Sequence, residues 1–159
     1  MMLGLFKPPL FSDNQLGELC RKAGFWRGMV RLGGVSVPLV VHGPRLSPDP
    51  QALEIARTVA SSYLDWRVFI AASLFEHCAP YAEALAAAEV KQPAERLPRI
   101  ARPGEVWPHT SVAFAAVVPL EGGLGVEIGY RVAWDEDHTL GARLRNGRLI
   151  ELSGSVLPP

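Results

Sequence analysis

The stretch Leu124-Gly125-Val126-Glu127-Ile128-Gly129-Tyr130-Arg131-Val132-Ala133-Trp134 decides the fold. Every even position is apolar, and the odd positions are Gly125, Glu127, Gly129, Arg131 and Ala133. Side chains alternate faces along a strand, so this period of two predicts a strand with one buried face. Residues 112–118 predict a strand before it, turned back at Glu121-Gly122-Gly123. After it, Asp135-Glu136-Asp137-His138 reads as a polar turn, in which Asp or Thr side chains hold backbone amides. Residues 140–145 and 148–153 then flank Asn146-Gly147 as a last hairpin. A two-residue Asn-Gly loop would set Ile150 opposite Arg143 and mix the faces. A three-residue loop 145–147, with Gly147 left-handed as a bulge, pairs Leu144 with Arg148 instead. It puts Leu140, Ala142, Ile150 and Leu152 on one face and Arg143 with Glu151 on the other.

Toward the N-terminus, residues 26–32 and 35–41 are rich in β-branched residues and joined by Gly33-Gly34, which predicts a hairpin. Pro38 lacks an amide donor and points to a sheet edge. Residues 1–25 are the least legible. There, Ser12 followed by Gln15 matches a helix start, and Gly24 a helix end. Residues 49–90 are helical by period: Leu53, Ala56, Val59, Ala60, Tyr63, Ile70, Leu74, Cys78 and Tyr81, with the stem of Arg67, recur at three or four. Their length suggests a break or a kink near Ser61-Ser62, and Pro80 a second break, because proline removes a bond to the preceding turn. Residues 91–110 carry Pro93, Pro98, Pro103 and Pro108 and read as a connector inside the domain, neither helix nor central strand. The expected architecture is a single domain over residues 1–159. It is α+β: an antiparallel sheet, made of an N-terminal hairpin and a C-terminal four-stranded meander, with helices packed on one face.

The chain has 159 residues, 48% of them hydrophobic, with 16 Lys+Arg against 16 Asp+Glu. This much apolar content supports a folded core. Zero formal net charge argues against nonspecific nucleic-acid binding, which runs on excess cations, and against a polybasic membrane anchor. No apolar run approaches a membrane span, and the start Met1-Met2-Leu3-Gly4-Leu5-Phe6-Lys7 has no charged leader region, so a cytoplasmic location is expected. Cys20 and Cys78 lack the spacing of a metal or redox pair and read as free thiols, with a single bridge as the alternative.

Candidate chemistry is sparse. No Gly-x-Ser-x-Gly elbow or phosphate loop occurs, and Gly125 and Gly129 lie on a strand rather than at a helix start. The best catalytic constellation is His109 with Asp135 and His138, brought together when strands 112–118 and 124–134 pair antiparallel. His42 and His77 look isolated, His77 as a satisfied residue at the core or its rim. Trp26, Trp66 and Trp134 read as core; Trp107, in the connector, reads as an exposed interface anchor. Arg143, Arg145 and Arg148 crowd one hairpin tip, opposite in sign to Asp135, Glu136 and Asp137, an arrangement suited to an electrostatic partner surface.

The run Trp134-Asp135-Glu136-Asp137-His138-Thr139-Leu140-Gly141 resembles the C-terminal signature W-D-x-E/D-H-T-L-G of a family of bacterial domains of unknown function. The segment 149–156, with its Glu-Leu-x-Gly-Ser core, resembles the end of the same signature, and Trp26-x-Gly28 and Ile100…Pro103…Val106-Trp107 fit it as well. The resemblance implies that Asp135, His138 and Gly141 matter, for folding or for contact, and that relatives include immunity or accessory proteins of toxin systems. Three functions stand open. The first is a non-enzymatic protein-binding domain, as in an immunity-type inhibitor of a toxin, with no cofactor or metal, no nucleic acid and no membrane. Its contact residues would be Trp107, Asp135, Glu136, Asp137, His138, Arg143, Arg145 and Arg148. The second is a small hydrolase or metal-dependent enzyme using His109, Asp135 and His138. The third is a structural subunit joined through an edge strand near Pro38.

Overall fold

The computed structural model describes residues 6–87 and 99–159. Eight strands form one sheet in sequence order: β1 (Leu10–Asp13), β2 (Gly17–Lys22), β3 (Phe25–Leu32), β4 (Val35–Val41), β5 (Thr110–Leu120), β6 (Gly123–Val132), β7 (Asp135–Arg145) and β8 (Arg148–Ser153). Neighbours are antiparallel except β4 and β5, which run parallel over residues 39–41 and 115–117. A parallel pair needs a long crossover. Here it contains helix α1 (Pro50–Ala87) and a 3-10 helix, Pro103–His109. The architecture is α+β, as the residue pattern indicates, but the sheet has two more strands than expected and a single long helix.

The extra strands replace the helix expected around Ser12. The Asp13 carboxylate accepts the amides of Gln15 and Leu16, both at 2.9 Å, so an Asp turn closes the β1–β2 hairpin where a helix cap was expected. Ala23 and Gly24 then take left-handed backbone angles and turn β2 into β3. The Gly33-Gly34 hairpin forms as expected, with both glycines left-handed.

Pro38 is not on an edge strand, since β4 lies between β3 and β5. It pairs with Met29 on β3, and the ladder to β5 begins only at Leu39, so the sheet loses little at the proline. The edge strands are β1 and β8.

Neither expected helix break occurs. α1 runs unbroken for 38 residues, about 57 Å at 1.5 Å per residue. Pro80 sits inside it. Glu76 and Pro80 are both exposed, so water reaches the carbonyl that proline leaves without a donor. Residues 88–90 of the expected helix and 91–98 of the connector lie outside the described residues. The rest of the connector contains the 3-10 helix, contrary to the exclusion of helix there. Proline suits its first position, and the Glu105 carboxylate accepts the amides of Ala101 at 2.7 Å and Arg102 at 3.3 Å.

The core is one large cluster. Leu53, Ala56, Val59, Tyr63, Ile70, Leu74 and Cys78 of α1 join Trp26, Leu39, Val117, Ile128, Tyr130 and Leu140 of the sheet. The hydroxyls of Tyr63 and Tyr130 meet inside it at 3.0 Å. A second, small cluster lies on the other face: Val40, Phe114, Ala116 and Val156. Two strand glycines make room for it. A β-carbon on Gly129 would fall 2.2 Å from the Phe114 ring, and one on Gly141 would fall 2.6 Å from Val156. The odd positions of β6 are therefore largely covered as well.

The last hairpin differs from the expected register. Leu144 pairs with Leu149 across a two-residue Asn146-Gly147 turn, with both residues left-handed. The bulge falls one step later, at Ile150, which is turned outward and 50% exposed. The chain thereby keeps the tight turn and still sets Arg143 opposite Glu151. Cys20 and Cys78 are both free thiols.

Candidate functional site

β6 ends at Val132, and Ala133 and Trp134 make the turn. The acidic run therefore begins β7 and does not form the turn itself. Val132 pairs with Asp135 and Tyr130 with Leu140, so residues 136–139 bow out of the ladder opposite Arg131 alone. The excursion carries the His138 ring back onto Asp135, where Nδ1 lies 2.8 Å from one carboxylate oxygen and 3.1 Å from the other. Asp135 faces α1, and the Tyr81 hydroxyl donates to its second oxygen at 2.8 Å. One turn earlier on α1, His77 Nδ1 accepts the indole N–H of Trp134 at 3.0 Å. An indole N–H only donates, so His77 Nδ1 carries no proton in this arrangement. The His77 and Tyr81 rings lie 5.5 Å apart.

This cluster ties the β6–β7 turn to α1. The Asp135 side chain is only 6% exposed. Burial alone would push its carboxyl up. The hydrogen bonds from Tyr81 and His138 outweigh that and hold it below the ordinary carboxylate range. The bond to Asp135 is the main cause that raises the Tyr81 hydroxyl. Burial lowers His77 and favours its neutral form, against the opposing pull of Asp135. Both oxygens of Asp135 are engaged with neighbours of the same chain, as a strut requires.

His109 does not join them. It lines a separate groove with Ser111, Arg131 and Glu136, and makes no hydrogen bond to Asp135 or His138. Its carbonyl accepts the Ala133 amide at 2.9 Å, so the backbones are adjacent as the strand pairing implied. Glu136 follows Asp135 on β7, and successive side chains point to opposite faces. The three-residue constellation thus splits into an Asp135–His138 pair and a His109 that lines the neighbouring groove without bonding to either. Among the described residues, no three His, Cys, Asp or Glu side chains converge as metal ligands.

The family described as a domain of unknown function (DUF6985) matches residues 15–156. The chain belongs to the DUF6985 family. No curated protein and no solved structure matches it. The region shared with the DUF6985 family contains α1, the 3-10 helix and the whole Asp135 cluster. No described helix is long and apolar enough to cross a membrane.

The arginines expected at one hairpin tip have separate tasks. Arg143 binds the buried Glu127 at 2.6 Å and Glu151 at 2.7 Å. Arg145 holds the β5–β6 turn through the carbonyls of Glu121, Gly123 and Leu124. Arg148 is exposed, as are Glu136 and Asp137 at the other end of β7. Trp107 is half-buried, where a free anchor was expected. Its ring lies 6.1 Å from that of Tyr130, and the Arg67 guanidinium stands 4.3 Å above it. Its outer side lines a groove with Leu64, Val68, Ala71 and Pro103. Next to the groove, Leu64 is 61% exposed, Val68 71% and Phe69 54%. The sequence reading missed these three, because apolar residues occur all round α1 and periodicity does not say which side is covered.

Proposed function

We propose that this DUF6985 protein is a non-enzymatic protein-binding domain, and specifically an immunity-type inhibitor that holds a toxin. The observation that carries the binding reading is the apolar surface on α1 beside Trp107. Leu64, Val68 and Phe69 stand in water next to a groove floored by a half-buried tryptophan. Exposed apolar residues beside an aromatic anchor are a common mark of a protein contact. The groove is walled by α1 on one side and by the 3-10 helix on the other, so regular elements present it to a partner. The Asp135 cluster supports the same reading from the other side: its members bond to one another and brace the helix that carries the patch. Glu136, Asp137 and Arg148 are exposed and available to a partner. In this reading Asp135, His138, Arg143 and Arg145 act through the fold.

The test is a photo-crosslinking amino acid at position 64, introduced into the full chain in cells that express it. One protein crosslinked in stoichiometric amount is the expected result, and release of a toxic activity on loss of binding identifies the immunity form. Crosslinking at position 64 that yields no discrete protein, while the same probe at exposed Arg148 does, overturns the assignment of this surface.

A further inference from the structure

The charges on α1 are sorted by side. Its acids are Glu54, Asp65, Glu76 and Glu83, and all four are exposed. Glu54, Asp65 and Glu76 recur every 11 residues, which is three turns, or about 16.5 Å along the axis. Such a spacing keeps them on one outward stripe, together with exposed Ala72 and Ala79 and beside Val68 and Phe69. The two arginines of the helix are turned aside and engaged. Arg57 binds buried Asp13 at 2.6 Å, and it also pairs with Glu54. Arg67 lies over the Trp107 ring. Asp65, Glu76 and Glu83 have no ion pair among the described residues. The outward face of α1 thus carries a carboxylate stripe with Leu64 and Val68 on one flank and Phe69 on the other, and no free cation among the described residues.

The geometry points to a cationic amphipathic helix of the partner protein as the occupant of this face, its apolar stripe on Leu64, Val68 and Phe69 and its Lys or Arg residues against Asp65 and Glu76. This identification of the partner rests on the protein-binding reading above. A helix is the fitting shape, because Leu64, Val68 and Ala72 form an i, i+4, i+8 ridge that packs into the grooves of a second helix. The groove along Trp107 and Pro103 runs beside that ridge. A second copy of α1 fits less well, because its only Lys or Arg residues, Arg57 and Arg67, are already engaged and it brings no free cation to Asp65 and Glu76.

The experiment uses the full chain and two labelled 18-residue helical peptides of the same pattern, one of Leu and Lys, one of Leu and Glu, followed by fluorescence anisotropy. The Leu–Lys peptide is expected to bind, and the Leu–Glu peptide at least tenfold more weakly. Asp65→Lys with Glu76→Lys should weaken the Leu–Lys peptide at least tenfold, and Val68→Ser with Phe69→Ser should abolish it. All four sites are exposed, and an unchanged Tm verifies each variant's fold. Equal binding of both peptides, unchanged binding by the charge-reversed variant, or self-association through this face in sedimentation each overturns the inference. A protein crosslinked through position 64 that binds the charge-reversed variant with unchanged affinity refutes the cationic helix and leaves the binding function standing.

Discussion

Replacing Pro80 with alanine should stabilise this protein. Proline inside a helix is about 3 kcal/mol worse than alanine, through a lost hydrogen bond and a ring clash with the preceding turn. Two effects reduce the gain. Glu76 and Pro80 are exposed, so the orphaned carbonyl is already hydrated. The bond restored by Pro80→Ala is then worth about 0.5–1.5 kcal/mol net. Proline also stiffens the unfolded chain, a benefit of about 0.4–1 kcal/mol that the variant gives up. Relief of the ring clash adds to the first of these, and the balance is a stabilisation of about 1–2 kcal/mol, or a Tm rise of about 2–8 °C for a domain of this size. Calorimetry reads the Tm, and hydrogen exchange of the amide that the substitution introduces at position 80 reads the helix directly. A Tm that is unchanged or lower, with fast exchange of that new amide, would refute the reasoning, because it would mean that α1 breaks at this point.

Tyr63→Phe and Tyr130→Phe each leave a buried hydroxyl alone, so each should cost about 1–3 kcal/mol, and the double variant about 1 kcal/mol less than their sum; urea unfolding of the four proteins measures it. Asp13, bonded to Arg57 and to two amides against the cost of its burial, has a lowered carboxyl. Its folded value lies below its unfolded one, so its stabilisation is complete above the ordinary carboxylate pKa of about 3.9 and disappears as pH falls through the lowered value. Asp13→Asn should therefore be less stable at neutral pH and approach wild type in strong acid, as read by Tm against pH. His77 is lowered chiefly by burial, so wild-type stability should fall as pH drops below the ordinary imidazole pKa of about 6.5. His77→Asn, whose amide oxygen accepts the same indole N–H, should lose less over that window, and Trp134 fluorescence should follow the difference.

The C-terminal half of the fold was legible because β6 has one unambiguous period. The Gly33-Gly34 turn, and the place of the Asn146-Gly147 turn though not its register, were legible because only a few residues accept left-handed backbone angles. Ser12 to Gln15 misled, since a residue that caps a helix also closes a turn, and the choice between them depends on β2, which itself has little periodicity. Pro80 misled because its cost depends on exposure, a property of the folded chain. At the candidate site, Asp135 and His138 were visible as near neighbours in sequence, but Tyr81 and His77, which give the pair its structural role, lie on a helix far away along the chain. The outward acids of α1 were readable in principle, and the expected breaks in the helix hid their common spacing.

Among the described residues, the three-residue parallel ladder between β4 and β5 is the only strand pairing that joins the first four strands to the last four. Every other pairing in the sheet links strands that are consecutive in the chain and close by in sequence. Such local hairpins form in microseconds, whereas the ladder must wait for closure of a loop that contains the whole of α1. During synthesis the first meander and its helix emerge before any of the second exists. The face of α1 that will cover β6 and β7 is then bare, and the joint between the halves is the slow step at which this chain is most exposed to wrong association.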